Sequence, residues 1–170
     1  ALGGIGAIAI SHPHYYASMV EWSQAFGAPI LLHAADRQWV MRPDPAIEFW
    51  DGETKEVAPG LTLIRCGGHF EGGTVLHWAA GAAGRSALLS GDIVQVGPDK
   101  RVSFMRSYPD YIPLDGGSVR HIADMLEGWP FDPIYGAWFD RVIPAGGKEA
   151  LAYSVRRYLA AISGPPARSP

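Results

Sequence analysis

Short apolar runs separated by turn-forming residues recur along the chain and predict buried strands. Strands are expected at residues 5–10, 30–32, 61–66, 74–79, 87–89 and 131–135. Only turns and glycine-flanked loops separate the runs 61–66, 74–79 and 87–89, so these three are expected to form an antiparallel meander.

Apolar residues at helical spacing predict three longer helices, over residues 17–26, between Asp115 and Gly128, and over residues 148–162. A shorter helix is expected after Asp36. Strands that alternate with helices, together with a meander, predict a layered α+β domain over residues 1–162. Residues 163–170 are rich in Pro, Ser and Gly and are expected to form a flexible tail.

Composition narrows the class of protein. The chain has 170 residues, 48% of them apolar, and a formal net charge of −3 without a basic block, which argues against nucleic acid as a partner. No apolar run reaches the about 20 residues that span a bilayer, so no membrane insertion is expected. The single cysteine, Cys66, is expected to be a small buried residue; it excludes an internal disulfide and is typical of a cytoplasmic location.

Four side chains with metal-binding chemistry follow apolar, strand-like runs or the loops between them. They are His12, His14, His69 and Asp92. Loops at one edge of a sheet can gather side chains from distant parts of a chain. Three imidazoles and one carboxylate suit a tetrahedral or five-coordinate zinc ion with room for a water. His33 and His77 are expected to be structural, and His121 to be solvated on a helix.

The order of these residues resembles the metallo-β-lactamase-fold hydrolases. That family carries His-x-His-x-Asp-His after a strand, a Gly-His loop, a Gly-Asp pair at the end of a strand, and a final histidine. Here His12-Pro13-His14, Gly68-His69 and Gly91-Asp92 match three of these motifs. The resemblance implies an αββα sandwich, with its N-terminal part truncated in this chain.

The chain departs from the family motifs where the second metal would bind. The Asp-His pair falls on Tyr16 and Ala17, and residues 136–140 contain no final histidine. The resemblance therefore implies one ion, held by His12, His14, His69 and Asp92. A two-histidine, one-carboxylate subset of these (His12, His69 and Asp92) also suits non-haem iron and resembles the iron site of the persulfide dioxygenase branch.

The resulting hypothesis is a hydrolase that uses one zinc-activated water on an ester, thioester, lactone or phosphoester. Asp92 would orient or deprotonate that water, and Tyr16 would donate a hydrogen bond to the substrate, with residues 105–109 at the rim. The alternatives are a mononuclear iron oxygenase and a degenerate member that only binds a metal or ligand. The expected partner is a small-molecule substrate, and an exposed strand edge near residues 5–10 predicts a homodimer.

Overall fold

Two main β-sheets, two further two-stranded sheets and three α-helices form the computed structural model, which describes residues 3–164. The strands are β1 Ile8–Ala9, β2 Ile30–His33, β3 Ile47–Trp50, β4 Thr54–Ala58, β5 Leu61–Arg65, β6 Thr74–Trp78, β7 Ala87–Gly91, β8 Gln95–Val96, β9 Val102–Ser103, β10 Met105–Ser107, β11 Ile112–Pro113, β12 Ile134–Gly136 and β13 Val142–Ile143. The two-stranded sheets are β8-β9 and β10-β11. The helices are α1 Met19–Phe26, α2 Gly116–Glu127 and α3 Gly147–Ile162, and short 3₁₀ turns span Pro13–Tyr15 and Ala34–Trp39.

The three-stranded sheet, called the small sheet below, is parallel and has the order β1-β2-β3. Its central strand β2 is buried along its whole length, as expected for a parallel strand covered on both faces. Helix α1 covers one face of this sheet, where Met19 and Val20 pack with Ile30 and Leu32.

The larger sheet has six strands in the order β13-β12-β7-β6-β5-β4. Strands β5, β6 and β7 pair antiparallel in succession, which confirms the predicted meander. Strand β12 pairs parallel with β7, and β13 pairs antiparallel with β12 at the edge opposite β4. Strand β4, which is not among the strands expected from the apolar pattern, pairs antiparallel with β5 at the edge.

The cores lie between layers. Leu31 and Trp50 from the small sheet meet Leu63 from the large sheet. The opposite face of the large sheet packs on α2 and α3 through a larger core that includes Ile64, Leu88, Ile122 and Leu151. The order of layers is therefore α1, small sheet, large sheet, and α2 with α3, which confirms the expected αββα sandwich.

Two further predictions concern the short helix after Asp36 and the C-terminal tail. The short helix expected after Asp36 is the 3₁₀ turn Ala34–Trp39, and Asp36 lies inside it rather than before it. The flexible tail expected at residues 163–170 lies outside the described residues from residue 165 onward. None of the helices in residues 3–164 combines the length and apolarity needed to cross a membrane.

Candidate metal centre

The His-Pro-His segment leaves β1 and tightens at once into the 3₁₀ turn Pro13–Tyr15. His12 is extended at the start of this turn, and Pro13 favours the helical φ that follows. The His12 imidazole is fully buried, and its Nδ1 lies 2.9 Å from Ser11 Oγ. The turn therefore directs His12 Nε2 into the site while His14 stays exposed at the surface.

His69 lies in the tight loop between β5 and β6. The amides of Cys66 and Gly67 both donate to the Gly73 carbonyl, 2.8 and 2.9 Å away, and so close the loop. A Cβ on Gly73 would lie 2.7 Å from the Gly67 carbonyl oxygen, so this closure requires glycine. The Nδ1 of His69 is 3.1 Å from the carbonyl oxygens of both Met105 and Arg106, which places the ring proton there and leaves Nε2 with its lone pair.

Asp92 follows β7 at the point where the strand turns. Gly91 has a φ of +53°, and a Cβ on it would lie 2.8 Å from Ser11 Oγ, so glycine permits both the turn and the close approach of the two segments. The Thr74 amide also donates to the Ser11 carbonyl, which joins β6 to the His-Pro-His segment. Ser11 thus joins the segments that carry His12, His69 and Asp92.

The four candidate ligands converge on one point. One ligand atom from each of His12, His14, His69 and Asp92 can be chosen so that all lie within 4.8 Å of one another. The three imidazole centroids form a nearly equilateral triangle with sides of 5.0, 5.0 and 5.1 Å, and the ring planes are inclined at 70–74°. Among the described residues, this is the one cluster of three or more such groups within metal-binding reach.

Burial favours the neutral form of the His12 and His69 imidazoles. It lowers the pKa of His12 to about 3, with His69 and His14 adding to the effect, and it lowers the pKa of His69 in the same way. Burial raises the pKa of Asp92, although His69, His14, Tyr15 and the Trp138 indole oppose that rise. Neutral imidazole is the form that binds a metal, so the buried histidines present their ligand form at neutral pH.

The residues fit a divalent transition metal. His12 Nε2, His69 Nε2 and Asp92 Oδ1 are buried and have no hydrogen-bond partner within residues 3–164. Unpartnered buried polar atoms are costly, and a bound cation accounts for three that share one point. His12 Nε2 lies 3.6 Å from Asp92 Oδ2, which is close to the about 3.4 Å that separates neighbouring ligands of a tetrahedral zinc ion.

Of the two tyrosines that follow the His-Pro-His segment, Tyr15 reaches the site. Its hydroxyl donates to Asp92 Oδ2 over 3.5 Å, and its ring lies 4.7 Å from that of His12. Tyr16, the residue singled out from the sequence, packs instead against the apolar cluster of α1 and the small sheet. Burial raises the pKa of the Tyr16 hydroxyl, and the nearby Asp36 carboxylate adds to that rise.

Among the other aromatic residues near the site, some contact Asp92 and some are exposed to solvent. The Trp138 indole interacts with the Asp92 carboxylate although its side chain is largely exposed, and Phe139 is fully exposed. Tyr108, from the segment 105–109 expected at the rim, donates its hydroxyl to the Asp92 carbonyl over 2.8 Å. That segment also supplies the two carbonyls behind His69, so it supports the site as well as bordering it.

The remaining histidines outside the cluster have other roles. His33 Nε2 lies 3.1 Å from the Gly52 carbonyl and its Nδ1 accepts from the Ala35 amide. His77 Nε2 lies 2.7 Å from the Pro130 carbonyl. Both rings are buried, in agreement with the structural roles expected from the sequence.

An open pocket of about 430 Å³ lies beside the candidate ligands. His14 and His69 line it together with the aromatic rings of Trp39 and Phe70 and the side chain of Arg106. A small molecule in this pocket would therefore contact the metal ligands directly.

Comparison with solved structures gives the class of fold. The chain matches the metallo-β-lactamase SMB-1, solved with mercaptoacetic acid, at a TM-score of 0.62 and 18% identity over 92% of this chain and 74% of that one. It also matches TTHA1623, solved in a di-iron-bound form, at a TM-score of 0.59 and 19% identity over 85% of this chain and 74% of that one. The chain has the metallo-β-lactamase fold, as its motifs predicted.

A curated relative is much more similar in sequence. The chain is 49% identical over 163 residues to YmaE, an uncharacterised protein of Bacillus subtilis (strain 168). The match covers 95% of this chain, and the chain spans 59% of the length of that relative. No family model matches the chain.

Proposed function

We propose that this protein is a metal-dependent hydrolase that works with a single ion at His12, His14, His69 and Asp92. The observation that carries the proposal is the convergence of three buried, unpartnered ligand atoms from separate loops, with a fourth ligand at the surface. The motifs of the family's second metal are replaced by Tyr16, Ala17 and residues 136–140, which favours one ion over two.

The chain's own residues supply the remaining requirements of hydrolysis. A bound zinc ion lowers the pKa of its water to about 7 and polarises a carbonyl or phosphoryl oxygen. Asp92 Oδ2 accepts from the Tyr15 hydroxyl, which holds the carboxylate in place, and the Asp92 carboxylate would orient the water or take its proton. The carbonyls of Met105 and Arg106 hold the proton on His69 Nδ1 and fix the orientation of that ring.

The overall reaction adds the water oxygen to the acyl or phosphoryl centre and breaks the bond to the leaving group. The leaving group departs with one proton, which Asp92 would transfer. Esters, thioesters, lactones and phosphoesters all satisfy this chemistry, and the pocket beside His14 and His69 is large enough for a small substrate of this kind.

Metal analysis of the protein purified without a chelating tag tests the proposal. We expect about one zinc per chain, lost in His69→Ala, together with zinc-dependent hydrolysis of at least one ester or thioester in a substrate panel. His121→Ala, which removes an exposed histidine outside the cluster, is the matched control and should keep the zinc. Absence of metal, with folding unchanged in the double variant His12→Ala, His69→Ala, would leave only a degenerate ligand-binding member.

Iron is a second candidate for the bound metal, because three of the four candidate ligands are buried and one is exposed. His12, His69 and Asp92 are buried and His14 is exposed, so the enclosed part of the site is a two-histidine, one-carboxylate set. The similarity to TTHA1623, which was solved with two iron ions, also supports testing iron. Stoichiometric iron that survives His14→Ala but not His69→Ala would favour an oxygenase over the hydrolase.

A further inference from the structure

A second pocket adjoins the one beside the metal ligands. It has a volume of about 320 Å³ and is lined by Arg65, Gly67, Gly68, Glu71, Arg106, Ser118 and His121. Glu71 and Arg106 border both pockets. The pocket lined by His14 and His69 and the pocket lined by Arg65 and His121 therefore lie side by side, and the two together are called the groove below.

The two arginines have donors to spare in this groove. Arg65 uses its Nε to donate to the Glu71 carbonyl over 3.0 Å, and its terminal nitrogens make no hydrogen bond within residues 3–164. The Arg106 guanidinium forms an exposed ion pair with the Asp115 carboxylate at 3.7 Å, and its side chain donates no hydrogen bond to an acceptor in the described part of the chain. Both guanidiniums can thus take an outside acceptor without giving up an internal hydrogen bond.

The backbone fixes where this charge lies relative to the metal ligands. The Arg106 carbonyl is one of the two acceptors of His69 Nδ1, so the residue that carries the guanidinium is joined directly to a candidate ligand. Arg65 is joined to the same loop through Glu71. The residues that carry both guanidiniums are therefore joined to the loop that carries His69.

The balance of charge in the second pocket favours an anion. Two guanidiniums line it against one lining carboxylate, Glu71, with the Asp115 carboxylate 3.7 Å from Arg106, whereas the whole chain has a net charge of −3. Guanidinium groups bind carboxylates and phosphates through paired, charge-assisted hydrogen bonds. Trp39 and Phe70, with ring centroids 5.7 Å apart, lie along the first pocket and offer an apolar surface to the part of a ligand between its two ends.

We infer that the pocket of Arg65, Arg106 and His121 is a subsite for an anionic group, a carboxylate or a phosphate, carried by the substrate at a distance from the bond that is hydrolysed. The inference deepens the proposed function and rests on it for the identity of the reacting end. The substrate class is thus an ester or thioester with an anionic tail, and Arg106 is a specificity-determining residue.

Binding of simple probes to the metal-free protein tests the subsite without any activity. Phenyl phosphate, benzoate and benzyl alcohol share one ring and differ in charge, and NMR titration can follow the Gly67, Gly68 and His121 signals. We expect at least one anion to bind near these residues and benzyl alcohol not to, and the stronger anion identifies phosphate or carboxylate as the group. Equal shifts from all three probes would overturn the inference.

Matched variants locate the charge that matters. Arg106→Gln should weaken binding of the preferred anion about tenfold, a loss of about 1.4 kcal/mol. Glu71→Gln should strengthen it, because it removes the opposing carboxylate from the same pocket. Arg120→Gln makes the same charge change on α2, outside both pockets, and should have no effect. Equal weakening by Arg106→Gln and Arg120→Gln would show that only the overall charge attracts the anion.

Hydrolysis by the metal-loaded protein separates this inference from the proposed function. The paired substrates are phenyl acetate, which is neutral, and 4-acetoxybenzoate, which carries a carboxylate. We expect Arg106→Gln to raise KM for 4-acetoxybenzoate and to leave phenyl acetate unchanged. Hydrolysis of both esters with no effect of Arg106→Gln would refute the subsite and leave the hydrolase standing. Arg106-dependent binding of an anion without hydrolysis of any ester would refute the hydrolase and support the subsite.

Discussion

Cys66 lies directly after β5, three residues before His69, and its thiol has no exposed surface. It belongs to the core between the large sheet and helices α2 and α3, so it acts as a small apolar side chain. Burial raises the pKa of this thiol to about 12, from an ordinary value of 9.0. The folded chain therefore keeps the proton at a pH where the unfolded chain has lost it.

The sign of the resulting pH dependence follows from that difference. Because the pKa of the Cys66 thiol is higher in the folded chain, the contribution of this group to the free energy of unfolding is fully present below pH 9. That contribution is lost as the pH rises towards 12. We expect the free energy of unfolding to fall more steeply in the wild type than in Cys66→Ala, by up to about 1.4 kcal/mol per pH unit. Urea unfolding from pH 8 to pH 11 measures both slopes, and the cavity left by alanine shifts the intercept alone. Parallel slopes would contradict the prediction.

The geometry of a single turn decides which tyrosine meets Asp92. In a 3₁₀ turn, residues three apart lie on the same side, so Tyr15 shares the side of His12. Tyr16, one position further, points to the apolar cluster around α1. The sequence showed that a tyrosine follows the two histidines, but the choice between neighbours depends on a turn type that the apolar pattern does not specify.

At the scale of elements, the His69 loop is held by a carboxylate from the 3₁₀ turn after β2. Asp36 is buried and accepts from the Gly72 amide at 2.8 Å through Oδ1. A Cβ on Gly72 would lie 2.8 Å from the Asp36 carboxylate, so the two segments are in direct contact. Asp36 thus connects the small sheet to the loop that carries His69.

Two substitutions separate this hydrogen bond from the charge of Asp36. Asp36→Ala leaves the buried Gly72 amide without a partner, and we expect it to lower the free energy of unfolding by about 1–3 kcal/mol and to weaken zinc binding. Asp36→Asn keeps an acceptor of the same shape and should stay closer to the wild type in both. Urea unfolding and zinc titration give the two measurements. An equal loss in both variants would show that the charge, not the hydrogen bond, is what matters.

Elements were predictable from the sequence in proportion to their length. The helices α2 and α3 and the meander β5–β7 have enough apolar positions to show their period, and the structure places them within a few residues of the predicted bounds. Strands β8 to β11 have only two or three residues each and leave no period to detect. Strand β4 alternates between partly buried and exposed positions at the sheet edge, and its residues Thr54, Lys55 and Glu56 look like a loop.

At the scale of the whole molecule, the motifs predicted the αββα layers and the convergence of the ligands. The proposed anionic subsite could not be predicted from the sequence, because Arg65 and Arg106 are far apart in the chain and only the fold brings them to one pocket beside the His69 loop. The same layering leaves β1 at the edge of the small sheet, paired only with β2 among the described strands. The amides of Ile8 and Ile10 donate to the β2 side, so in a parallel pair the Ala9 amide and carbonyl face outward.

This open edge adjoins an apolar groove between the two sheets, about 370 Å³ in volume, where Ile10, Leu76 and Leu89 contribute to the lining. Unpaired edges with apolar neighbours favour pairing with another strand.

We expect this chain to self-associate through β1, and we expect Ala9→Lys, at an exposed position of this edge, to shift it towards monomer. Ala152→Lys, exposed on α3, is the control for the added charge. Sedimentation velocity over a range of protein concentrations measures the outcome. A monomer at every concentration, or an equal effect of the two lysines, would refute pairing at this edge, because only Ala9→Lys places a charge beside the free backbone groups of β1.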